Sequence, residues 1–317
     1  MPNPEIIVKP EGKLIWHNQS KTGAKPKILE LNKGGLRAQV TKHLVTILKD
    51  DGSLDHWKKT QEPEIAVTLS MLYRDRLGSL LGATPMGFED KDAGVSTAFG
   101  NIYHQGNSGG IIDVLGYPNV TLMGYTIASA ADGNMIDLSF QGIGEPTNAA
   151  AAVADQEALT LGNVEAMVAA ETYVRWKSGG AGAPVAKTLG FTNAGWRLSV
   201  QYQKVLVRKT DTTFSHAKVI GVPTWDLTVN QFYQDGTTNL LFDAVSGYGN
   251  KAAGKTVPFG TIAVEGLLAA GSGALESIQL ANAVLTNWDF SQANEGNPLA
   301  LTFRGVGAPD FLAATLA

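Results

Sequence analysis

Asp137-Leu138-Ser139-Phe140-Gln141-Gly142-Ile143-Gly144-Glu145-Pro146 and, near the other end, Ala300-Leu301-Thr302-Phe303-Arg304-Gly305-Val306-Gly307-Ala308-Pro309 are two spellings of one stretch. Each reads as a strand with alternating apolar residues, Leu138 and Phe140 or Leu301 and Phe303, that runs into a Gly-x-Gly-x-Pro turn ending a domain. Alone, either is an ordinary strand end. Together they mark an internal duplication.

Working outward, an offset of 160 sets Trp16 on Trp176, Arg37 on Arg197, His56 on His216, Pro63 on Pro223 and Asp75 on Asp235. From Gly35 to Asp75 there are 12 identities in 41 columns, where ordinary composition gives roughly one in sixteen by chance. Phe99-Gly100 still falls on Phe259-Gly260; beyond Ile102 and Ile262 the offset becomes 163, which sets Asn119 on Asn282 and Phe140 on Phe303. The first copy therefore spans residues 12–146 and the second 172–309, with arms at 1–11 and 310–317 and a linker and lead-in at 147–171. The linker is Ala-rich, and a short helix capped by Asn148 fits there.

Period-two alternation dominates both copies. Ile65, Val67, Leu69, Met71 and Tyr73 alternate with polar or small residues, as do Leu36, Ala38 and Val40, echoed by Trp196, Leu198 and Val200. The expected fold is mainly β: two tandem domains of antiparallel strands, each with one short α-helix after the Pro63 or Pro223 strand, N-capped by Asp75 or Asp235. Two further strands per copy join across hairpin turns at 131–134 and 294–297, where Gly and Asn allow positive φ.

Composition narrows the function. The 317 residues are 44% apolar, enough for two cores, and no apolar run approaches a bilayer span; the first residues signal neither secretion nor membrane insertion. Cysteine is absent, which excludes disulfides and thiolate metal sites. A net charge of −4 argues against tight nucleic-acid binding, but not against a surface that DNA slides past.

No phosphate loop, HExxH or nucleophile elbow is present, so no catalytic, cofactor-binding or metal residue is assigned. Gly142-Ile143-Gly144 and Gly305-Val306-Gly307 read as turns before Pro146 and Pro309. The five histidines lack ligand spacing. Arg37 and Arg197 read either as inter-subunit ion-pair partners or as solvated surface residues. Lys21, Lys25 and Lys27 form a basic loop absent from the second copy. Trp16, Trp176, Phe140 and Phe303 are structural. Such a chain works by shape: two nearly equivalent surfaces suit two adjacent positions in a ring.

In these features the chain resembles the duplicated major tail tube proteins of long-tailed, non-contractile phages. The likeness rests on strands with an interposed helix, the closing Phe-x-Gly-x-Gly-x-Pro hairpin, and two copies per chain. It implies tail-tube-like β-sandwich or partial-barrel domains and homotrimeric, pseudo-hexameric rings stacked into a channel for genome DNA in the virion. It also implies assembly in the host cytoplasm and tape-measure, tail terminator and baseplate or tip proteins as partners. The loops at 88–97 and 247–256 would be candidates for ring-to-ring contacts. Two other readings are a tandem β-sandwich carbohydrate-binding or adhesin module, for which Tyr125 and Trp288 are the aromatic pair to test, and a hydrolase with an unrecognised site.

Overall fold

A computed structural model describes residues 12–29, 35–73, 80–81, 87–108, 111–130, 133–158, 167–179, 185–189, 195–233, 259–268, 274–293 and 296–317. The first copy contributes β1 (Lys13–Asn18), β2 (Lys27–Leu29), β3 (Gly35–Leu48), β4 (Leu54–Leu72), β5 (Gly100–Ser108), β6 (Ile111–Ala128), β7 (Met135–Ile143), β8 (Thr147–Ala149) and β9 (Glu157–Ala158). The second contributes β10 (Met167–Ser178), β11 (Lys187–Leu189), β12 (Trp196–Gln201), β13 (Lys204–Arg208), β14 (Phe214–Val219), β15 (Thr224–Phe232), β16 (Gly260–Leu268), β17 (Ala274–Phe290), β18 (Pro298–Val306) and β19 (Asp310–Leu312).

Each copy is a sandwich whose two sheets share one bent strand. In the first, residues 111–120 of β6 pair with β5, and residues 120–128 pair with β7. One sheet is thus β3-β4-β7-β6 and the other β2-β1-β5-β6-β8. The corner lies at Asn119, held at φ 52°, and its side-chain amide donates to the Ile143 carbonyl at 3.0 Å. Asn282 repeats it in β17, at φ 57° with a 3.3 Å bond to the Val306 carbonyl. Asn tolerates this left-handed conformation better than most residues, which suits it to a strand that changes sheets.

The registers repeat under the same two offsets. Trp16 faces Ile102 as Trp176 faces Ile262, and Leu69 faces Leu138 as Val229 faces Leu301. Phe140 and Phe303 are buried, and each bridges the sheets to its own tryptophan, at 6.0 Å for Trp16 and 5.5 Å for Trp176 between ring centroids. The tryptophans lie over glycine. A Cβ on Gly100 would stand 2.8 Å from Trp16 Cη2, and one on Gly260 2.6 Å from Trp176 Cη2.

Several sequence expectations change. One helix per copy is not borne out: among the described residues only Leu80 and Leu81 are helical, and Asp75 and Asp235 lie outside them. Gly142 and Gly305 stay inside β7 and β18, packed against Val120 and Trp225; the turn comes at Gly144 and Gly307, with φ 147° and 121°, ahead of Pro146 and Pro309. Asn148 caps no helix, because Thr147–Ala149 is a strand on β6, and Glu157–Ala158 pairs with β2. At the other end Asp310–Leu312 pairs with β17, and the Leu316 amide donates to the buried Glu265 carboxylate at 2.5 Å. Residues 1–11 lie outside the described set, as do 131–132, 294–295 and 247–256.

Gly100→Ala and Gly260→Ala should each destabilise the fold by about 1–3 kcal/mol through overpacking, and Phe140→Ala and Phe303→Ala by about 3–5 kcal/mol through cavity formation. Urea midpoints at constant m will measure both.

Candidate assembly surface

The two copies are joined edge to edge. Residues 124–128 of β6 pair antiparallel with β12, so that Tyr125 faces Val200 and Ile127 faces Leu198. The Tyr202 amide donates to the Met123 carbonyl at 2.8 Å and the Ser129 amide to the Trp196 carbonyl at 3.0 Å, extending the ladder at both ends. One continuous eight-stranded sheet results, in the order β3-β4-β7-β6-β12-β15-β18-β17. Tyr125, Ile127, Leu198 and Val200 are all buried at this seam. Across it, the Tyr73 hydroxyl lies 2.9 Å from Glu276.

A second contact crosses the seam. Where β3 runs unbroken in the first copy, its counterpart breaks at Tyr202-Gln203, and the hairpin β13-β14 stands apart from the main sheet. That hairpin reaches the first copy. Arg208 donates to the Glu62 carbonyl at 3.0 Å and to the Glu64 carboxylate at 3.1 Å, and Phe214 packs on Phe99 at 5.1 Å. Lys204 pairs with Glu89 and donates to the Leu122 carbonyl at 3.0 Å, with its ammonium over the Tyr202 ring. Burial pushes the Glu89 carboxyl up and the Lys204 ammonium down; their mutual attraction opposes both shifts.

The outward face of the eight-stranded sheet is polar, since every strand that buries one side chain turns the next away from the core. Thr68, Ser139 and Gln141 lie on it, as does the Arg304–Asp226 ion pair at 2.7 Å. Arg37 and Arg197 project from β3 and β12, both exposed, and neither has an ion pair among the described residues. No group of three metal-ligating side chains occurs among those residues, and no helix there is long and apolar enough to cross a membrane.

The sheet ends at β3 on one side and β17 on the other, and these ends are the counterparts of the strands joined inside the chain. Trp288, 46% exposed, occupies the place of buried Tyr125, and exposed Phe290 that of Ile127. On β3, Ala38 and Val40 are half-buried where Leu198 and Val200 are fully buried. Tyr125 and Trp288 therefore do not form a matched pair of exposed aromatics. The seam residues Lys204, Glu89 and Arg208 escaped notice in the sequence because the repeat was sought in identities, whereas these sit where the copies differ, against Leu44, Gly249 and Leu48.

The basic loop is neutralised within its own copy. Lys25 and Lys27 both bind Glu157, the first at 2.7 Å, and Lys21 lies 3.2 Å from Asp90. Among known proteins, no family model and no curated protein matches this sequence.

Hydrogen bonds from Lys25 and then Lys27 hold the Glu157 carboxyl down at about 2. A carboxyl depressed in the folded state stabilises it above the ordinary value of 4.5 and loses that contribution as pH falls through about 2. In that window β9 should release β2 before the sandwich melts, measured as lost hydrogen-exchange protection at the Glu157 amide, which donates to the Pro26 carbonyl at 2.9 Å, and Glu157→Gln should reproduce the release at pH 7. Lys204→Ala, which leaves Glu89 largely buried without its cation, should cost about 3–5 kcal/mol in thermal or denaturant unfolding.

Proposed function

We propose that the chain is a self-assembling structural subunit, the repeating unit of a phage tail tube. The observation that carries this reading is the seam: one edge-to-edge junction is made inside the chain, and the same two kinds of edge close its sheet. A heterologous contact of this sort repeats head to tail and forms a ring when its rotation closes. In the proposed ring β17 of one chain pairs with β3 of the next, Trp288 opposite Val40 and Phe290 opposite Ala38. At one point the match is imperfect. The internal seam has Gly124, where a Cβ would stand 2.5 Å from the Val200 carbonyl, and β17 carries Asn287 there, so the pairing between chains stops at Trp288.

Three chains would give six similar domains and one inner wall. The polar, mixed-charge sheet face suits a lumen through which DNA moves, because dense positive charge would hold phosphates and stall transit. In this reading rings stack into the tail tube of the virion, with tape-measure, tail terminator and baseplate or tip proteins as partners, and the role is structural rather than enzymatic.

Purified protein, concentrated and viewed by negative-stain microscopy, should form rings or hollow tubes. Trp288→Glu, placed on an exposed side chain, should leave monomer stability within about 1 kcal/mol and abolish those assemblies. Protein that stays monomeric at every concentration would sink the reading.

A further inference from the structure

Resting on the ring reading, we infer that the β3-β4 hairpin is an arm that docks on the second domain of a neighbouring copy, and that its apolar chemistry distinguishes this joint from the charged one inside the chain. The template is the seated hairpin β13-β14. Its residues and those of the β3-β4 tip correspond one to one, with the same register and the same irregularity, between Val207 and Arg208 and between Ile47 and Leu48.

The chemistry of the two joints differs on both sides at once. Arg208, which binds Glu62 and Glu64, corresponds to Leu48, 58% exposed; Glu62 and Glu64 correspond to Val222, exposed, and Thr224. The Phe214–Phe99 contact corresponds to Leu54, 51% exposed, and Phe259, 54% exposed. Ile143, buried alongside the seated hairpin, corresponds to Val306, 47% exposed. Arginine and its carboxylate partner have become leucine and threonine together, and each apolar counterpart is open to solvent in the single chain. A joint that kept the same geometry would bury Leu48 on Val222 and Leu54 on Phe259.

Charge complementarity also selects the partner. An apolar tip offered to Glu64 would leave a carboxylate without its cation, and Arg208 offered to Thr224 would lose its ion pair, so neither hairpin suits the other's seat. The docking arm would have to bend as its counterpart does. β3 carries register irregularities on either side of His43, the position that matches the break at Gln203.

The test is a charge transplant in the full chain. Leu48→Arg alone should raise the concentration needed for rings by about ten-fold or more, because an unpaired cation is buried. Thr224→Glu, which restores the counterpart of Glu64, should recover assembly when combined with Leu48→Arg and should not improve it alone. Unchanged circular dichroism and melting of the separate chains will show that the variants fold. In the cysteine-free background, Leu54→Cys with Phe259→Cys should give covalent oligomers of two and three chains with a short bismaleimide. Wild-type ring formation by Leu48→Arg, alongside its loss in Trp288→Glu, would overturn the docking arm and leave the ring intact. Rings that form but no longer stack would also overturn it, placing the hairpin against another ring. A wild-type chain that never assembles removes the ring and the arm together.

Discussion

Backbone amides and carbonyls at a sheet edge demand partners, and the arrangement of this molecule follows from where those partners come from. Within each sandwich the other strands answer the demand. Between the copies, the edge of β6 is met by β12, which fuses two domains into one sheet and moves the open edges out to β3 and β17. The apolar residues follow: Tyr125 and Val200 are buried at the fused edge, and Trp288 is exposed at the end of the sheet.

The fusion requires two sandwiches of the same shape, and their shape depends on a few positions. Asn119 and Asn282 turn one long strand from sheet to sheet, so that Phe140 and Phe303 reach the tryptophans of the opposite sheet. Gly100 and Gly260 leave the room those indoles fill. Each supports the next: without the corner the two sheets would not share a strand, and without the glycines the tryptophan would push them apart.

The duplication and the β class were legible because alternation and repeated spacing are local properties. Ile65, Val67, Leu69, Met71 and Tyr73 read directly as a buried face, and the two offsets recur in the observed strand registers. The seam was not legible, since pairing of β6 with β12 depends on which edges meet in space, and alternation looks the same on a central strand as on an edge. The Gly-x-Gly-x-Pro stretch misled for a related reason. Gly142 and Gly305 answer to neighbouring side chains, Val120 and Trp225, and not to a turn. The basic loop read as a difference between the copies, and its acidic partner Glu157, far along the chain, was not legible beside it.

The covalent link between the copies has a consequence of parity. Every chain brings two domains already joined through β6 and β12, so a closed circle of such chains contains an even number of domains, with internal and external joints alternating around it. Five- or seven-domain circles are ruled out by connectivity alone, whatever the angle at each joint. A closed circle of such chains also leaves only half of its joints to be made between molecules, because every other joint has formed by the time the chain has folded.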